Sequence, residues 1–204
     1  MNKIIEIPFA IPFYTQRVTE ESWETDGFFD FREGLCWQMK GCGIASFRMI
    51  IDGFLQKEGK PCCERQGTMV HKGLTQGAYK PGVGWIHQGL ADMSADYGLV
   101  GIAHRGKDAW DMVEAIMEGM PCIISVSPRF AGGKPDEDGN ISPKGGHLVV
   151  AYGCELDGEG KPVAFLVHHP SCFLENNWAA HWVSMEEFEA SFSGNYISFH
   201  KAEK

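Results

Sequence analysis

Little in this 204-residue sequence is basic: 18 Lys and Arg stand against 27 Asp and Glu, a formal net charge of -9. There is no basic run and no basic stripe interleaved with aromatics, so nucleic acid and anionic membrane surfaces are poor partners. No apolar run is long enough to cross a bilayer. The opening MNKIIEIPFAIPFYTQ is apolar, but Glu6, Pro8 and Pro12 break it and no small-residue cleavage site follows. It therefore reads as extended chain fit for a sheet edge rather than an export signal. The cysteines number seven, an odd count, and form no C-x-x-C unit. Reduced thiols in a cytoplasmic protein are the simplest account. Cys62, Cys63 and a histidine such as His71 could be brought to a zinc ion, but their spacing fits no common framework. Repeats and linkers are also absent, which predicts one compact domain over 1–204 with a substantial core.

What is present divides into helical patterns early and strand patterns late. In WQMKGCGIASFRMIIDGF, residues Ile44, Phe47, Ile51 and Phe54 recur at helical spacing, and Gly59 and Pro61 stop the run. A second helical stripe carries Ile86, Leu90, Met93 and Tyr97 and ends at Gly98; a third carries Trp110, Val113, Ile116 and Met117 and ends near Gly119. RVTEESWETDGFFDFREGLCWQ reads as a long surface excursion. PCIISVS, GHLVVAYG, PVAFLVHH and NYISFH read as strands, the middle two joined through the turn ELDGEGKP. Ser184 to Glu187 has the pattern of a capped helix start. PRFAGGKPDEDGNISPKGG is too polar and too rich in Gly and Pro to pack internally, as lids and binding loops often are. Helices first and strands later predict an α+β fold.

Cys42 stands where a glycine-flanked turn becomes a helix. Free N–H groups and the positive end of the helix dipole favour a thiolate there, and the thiolate is the nucleophilic form. An arbitrary cysteine is more often a small buried hydrophobe. A second feature raises Cys42 above that base: in KGGHLVVAYGCE, His147 follows two glycines and opens an apolar strand. A cysteine on a helix start and a histidine on a distant strand start are distributed as a papain-like pair. If they form one site, sulfur and a ring nitrogen should lie within roughly 4 Å.

The order IPFYTQ, W…GCGIAS, EGMPCIISVS, GGHLVVAYGCE, FLVHHP and an EEF helix covers most of the chain. It resembles the bacteriocin-processing, double-glycine leader peptidase type of papain-like cysteine peptidase. More closely, it is similar to stand-alone peptidase-like members without transporter domains. The resemblance implies a papain-like α+β fold, a peptide or small amide substrate, no cofactor and no metal. Cys42 would attack an amide or thioester carbonyl, and His147 would take its proton and later give it to the leaving group. Gln16 matches the glutamine that supplies an oxyanion-hole donor, with Gln38, four residues before the cysteine, as its competitor.

The third catalytic position departs from the family. Members usually carry Asp directly before Pro after the histidine strand, whereas FLVHHP puts His169 there. A neutral imidazole can accept the N–H of His147, with ring nitrogens expected within about 3.2 Å, although it supports an imidazolium less than a carboxylate does. Asn176 or Asn177 could serve instead. The departure leaves open a catalytically impaired peptide-binding module of the same fold, and the same catalytic set could also run acyl or peptidyl transfer if a thiol or amine intercepts the acyl-enzyme. Histidine crowding at His147, His168, His169 and His181 permits a metal site, but no HExxH-like or HxH spacing recommends one.

Overall fold

The computed structural model describes residues 2–62, 64–136 and 138–202. Its first half is mainly helical: β1 (Lys3–Glu6), α1 (Phe31–Gln38), α2 (Cys42–Lys57), α3 (Gln66–Thr75), the short strands β2 (Tyr79–Lys80) and β3 (Gly84–Trp85), and α4 (His87–Met93). The remainder alternates strands with two helices: β4 (Leu99–His104), α5 (Ala109–Met117), β5 (Cys122–Val126), β6 (His147–Leu156), β7 (Pro162–His169), β8 (Trp178–Ser184), α6 (Met185–Ser191) and β9 (Tyr196–Lys201). The fold is α+β, as the residue pattern predicts.

Strand order in the main sheet is β4-β9-β5-β6-β7-β8, with β1 lying beside the far half of β6. Every recorded pairing is antiparallel. Because β6 is flanked on both edges, its run HLVVAYGCEL is largely apolar between His147 and Glu155 and buried except at Glu155, the pattern of a central strand. Helix α2 lays its expected face on this sheet, with Ile44, Phe47 and Ile51 fully buried. One turn beyond Cys42, the Ser46 hydroxyl donates to the carbonyl of Leu148 at 3.1 Å in a buried contact. The cysteine helix is thereby fastened to the histidine strand four residues after Cys42 and one residue after His147.

The four strands read from sequence are β5, β6, β7 and β9, and Ser184 caps α6 through the Glu187 N–H. Gly98 ends its helical segment in the left-handed region at φ 68, which a side chain would strain. Three expectations need correcting. The supposed surface excursion contains α1, capped by Asp30 accepting from Glu33 N at 2.7 Å, while Glu33 accepts from Phe29 N at 2.7 Å. The N-terminal strand stops at Glu6, so Gln16 sits in irregular chain rather than at a strand end. The loop over 128–146 does pack: Phe130 is buried, Gly132 N donates to Ser191 Oγ at 3.1 Å, and a Cβ on Gly132 would overlap the Ala190 carbonyl. Among the described residues no helix is long and apolar enough to cross a membrane.

Candidate active site

Cys42 is the first residue of α2, after Gly41, whose lack of a side chain leaves the helix end without a side-chain cap. The first N–H groups of the helix thus face the cysteine without intrahelical partners. Gly43 is required by packing: a Cβ there would lie 2.8 Å from the Trp85 ring. That indole covers the first turn and donates from Nε1 to the Lys40 carbonyl at 2.8 Å, which holds the turn entering the helix. Around the sulfur, burial pushes the thiol pKa up, and the opposing pull of the Leu148, Gly43 and Cys42 backbone groups is smaller. The thiolate expected from the helix start alone is therefore outweighed by desolvation.

His147 enters β6 from Gly145 and Gly146, at φ 85 and 94, backbone angles that L side chains rarely adopt. It is 9% exposed and lines one cleft of about 500 Å³ with Cys42, Leu148 and Trp85. The two candidate groups thus share a wall, but no hydrogen bond joins the thiol to the ring, and His147 Nε2 is buried without a partner. Burial, then the neighbouring His169, lowers the His147 pKa to about 3, against a weaker upward pull from the Pro170 backbone. At neutral pH the resting pair is a thiol and a neutral imidazole.

His169 lies beside His147, ring centroids 4.5 Å apart and planes tilted by 43°. The expected nitrogen-to-nitrogen bond is absent because both His169 nitrogens are engaged elsewhere. Nε2 accepts from the Arg129 backbone N–H at 3.2 Å, so Nδ1 carries the proton and donates to the Asn176 carbonyl at 2.8 Å. Burial lowers its pKa to about 4, so the ring is neutral. Asn176 is buried and acts here through its carbonyl. The Asn177 side chain accepts from Ser171 N at 2.8 Å and donates to Phe173 O at 3.3 Å. Neither asparagine bonds to His147.

His168 is saturated in the same way, with Nε2 donating to Ile11 O at 3.0 Å and Nδ1 accepting from Ala180 N at 2.9 Å. His181 packs against Trp178 with centroids 4.8 Å apart and planes tilted by 41°. The lone pairs of His168 and His169 are thus taken by backbone N–H groups, which argues against the histidine metal site. His71 pairs with Glu33 at 2.8 Å, while Cys62 touches Tyr14 and Gln56; Cys63 lies outside the described residues. Among the described residues no group of three His, Cys, Asp or Glu side chains could hold a metal ion.

Of the two glutamines, Gln16 is the one against the cysteine's helix start. Its Cβ is 3.3 Å from where a Cβ on Gly41 would stand. The side chain is 5% exposed, donates one N–H to the Gln38 carbonyl at 2.7 Å and leaves Oε1 buried without a partner. Gln38 instead turns its own Oε1 to Val18 N at 3.1 Å. The segment bearing Gln16 is pinned by Thr15 Oγ1 donating to Ser171 O at 2.8 Å and by the Ile11 bond to His168. Sequence reasoning missed Ser46, Trp85 and the Arg129 backbone as parts of the site. A hydroxyl at i+4 from Cys42, inside an apolar face, was a usable signal for Ser46; the other two contacts are long-range and left none.

Neither a protein-family model nor a curated protein sequence matches this chain. Solved structures do. A candidate C39-like peptidase from Bacillus anthracis superposes with a TM-score of 0.58 at 18% identity, covering 98% of this chain and 99% of that one. The chain has the fold of C39-like, papain-like cysteine peptidases. A double-glycine motif protease from an AMS/PCAT transporter, solved with its leader peptide, matches at a TM-score of 0.50 and 18% identity over 95% of this chain and 93% of that one. UfSP from C. elegans matches at 0.55 and 14% identity over 99% of this chain and 34% of that one. The C39-like fold thus agrees with the resemblance carried by GCGIAS and GGHLVVAYG.

Proposed function

We propose that this protein is a cysteine hydrolase, a peptidase or amidase, acting through a Cys42 acyl-enzyme with His147 as general base and acid. The observation that carries the reading is the shared cleft of Cys42 and His147, with α2 locked to β6 through Ser46 and Leu148. Cys42 Sγ adds to the carbonyl carbon while its proton passes to His147, and that proton then goes to the leaving nitrogen. Water attacks the thioester, His147 takes the water proton, and the thiol is restored as the carboxylic acid leaves. Because burial keeps both groups neutral at rest, proton transfer accompanies attack rather than preceding it as an ion pair. The backbone N–H of Cys42 and the second N–H of Gln16 are suited to the oxyanion, and His169 packs the His147 ring in place without bonding it.

A specific observation favours a second reading, a peptide-binding module with impaired chemistry: no hydrogen bond joins Cys42 to His147, and no carboxylate orients the imidazole. Incubation with a mixed peptide library, with product and intact-protein mass spectrometry, separates the two. New peptide termini together with a thioester adduct on Cys42, both lost in Cys42→Ala, support the hydrolase. Peptide retention without cleavage or adduct supports the module.

A further inference from the structure

The cleft that holds Cys42 is a cationic patch on an acidic molecule. Lys40, Arg105 and His87 line it, and no aspartate or glutamate does, although the chain carries an excess of nine negative charges. Arg105 is exposed and has no carboxylate partner among the described residues. The acids nearest to it along the chain are otherwise engaged: Asp108 accepts from Trp110 N at 2.8 Å to cap α5, and Asp111 accepts from Lys107 Nζ at 2.7 Å. The Lys40 ammonium, two residues before the cysteine, has only a distant ring contact among the described residues, 5.8 Å from the Trp37 centroid. His87 is held towards its neutral form by burial and by Arg105, so the permanent charges at the mouth are Lys40 and Arg105. Tyr79, Val83 and Trp85 also line the cleft and give it apolar surface.

Unpaired cations around an aromatic-lined cleft attract and retain an anion more strongly than the same cations on open surface. We infer that the substrate is an anionic peptide or peptide-like amide, bound with an apolar group on the Tyr79–Trp85 wall and a carboxylate near Arg105 and Lys40. This rests on Cys42 being the reactive thiol of the cleft. The carboxylate can belong to an acidic side chain or to a chain terminus, since both present the same charge and acceptor geometry to a guanidinium.

Three chloroacetyl dipeptides of one length test this: Ala-Glu-amide, Ala-Gln-amide, and Ala-Gln with a free terminal carboxylate. The rate of Cys42 alkylation is followed by peptide mapping at about 20 mM salt, where screening is weak, and again at about 0.5 M. At least one anionic probe should react about two- to fivefold faster than Ala-Gln-amide, as expected for partly exposed charge pairs. Which one does so identifies the source of the carboxylate. The advantage should vanish at high salt and in the Lys40→Gln/Arg105→Gln double variant, and persist in Lys161→Gln, at the turn between β6 and β7. Equal rates for all three probes at Cys42, or an advantage that survives the double variant, overturn the anionic substrate while leaving the hydrolase standing. Failure of every probe to modify Cys42, while exposed Cys36 reacts, overturns the hydrolase reading itself.

Discussion

The start of β6 and the end of β7 lie side by side and are built in opposite ways. At the end of β7, His168 and His169 give each ring nitrogen one backbone partner, which fixes tautomer and ring plane. At the start of β6, His147 is also buried, yet its Nε2 has no partner, and Gln16, against the start of α2, leaves Oε1 unpaired. An unpaired buried polar atom costs on the order of 1–3 kcal/mol, so the fold sacrifices stability both at His147, in the cleft, and at Gln16, against the start of α2. Saturated histidines hold the architecture. The unsaturated one keeps a ring nitrogen without a partner, as the proposed base requires.

The sharpest test of that contrast is to exchange the consequences of mutation. His147→Gln and Cys42→Ala should each reduce turnover about 10⁴-fold or more, with the urea midpoint little changed. His168→Phe should do the reverse, because it leaves the buried Ile11 carbonyl without a partner and takes the acceptor from Ala180 N: a loss of about 1–3 kcal/mol in urea unfolding. If the His147 variant loses as much stability as the His168 variant, the distinction fails.

Acid should expose the same contrast. The folded pKa values of His147 and His169, about 3 and about 4, lie below the ordinary 6.5. Above pH 6.5 neither state binds these protons, so the stability is fully present. Below it the unfolded chain takes up protons that the native state refuses, and stability falls until the pH passes through the folded values. Each histidine contributes a slope of about 1.4 kcal/mol per pH unit within that window. Urea titrations at a series of pH values between 7.5 and 4.5 should show this decline, and His147→Gln should remove one histidine's share of it.

His169→Asp probes the family departure. A carboxylate would meet the Asn176 carbonyl where Nδ1–H now donates, so the variant should lose about 1–3 kcal/mol in urea unfolding and gain no activity at low pH. A stable variant with a broadened acid range would mean that the aspartate reaches His147. Ser46→Ala is the gentlest change, about 1 kcal/mol, and should slow Cys42 alkylation by loosening α2 on β6. Unchanged alkylation would remove Ser46 from the site.

Periodicity made the cysteine helix and four of the strands legible, because those elements bury one face or both against a single core. Helix α1 was legible too, since Asp30 and Glu33 have the spacing of a cap, but the acidic residues around them resemble a solvated loop. Strands β4 and β8 carry exposed residues on much of their length, so alternation was blurred. In the site, local sequence located Cys42 and His147, because a helix start and glycine-led strand entry are local features. The partners of His169 were not legible. They come from the carbonyl of Asn176 and the N–H of Arg129, 40 residues away, and backbone groups have no letter in a sequence.

The pins that hold Gln16 have a consequence for how the molecule is made. Thr15 reaches Ser171 across 156 residues, and Ile11 reaches His168 across 157. A chain emerging from its amino end therefore presents Gln16 and Cys42 long before either can be seated. His147 and both anchors belong to the last third of the molecule. Contacts this distant in sequence form slowly and late. On the proposed reading the nascent chain is thus inert, because Gln16 is seated against the start of α2 only once synthesis has passed β7.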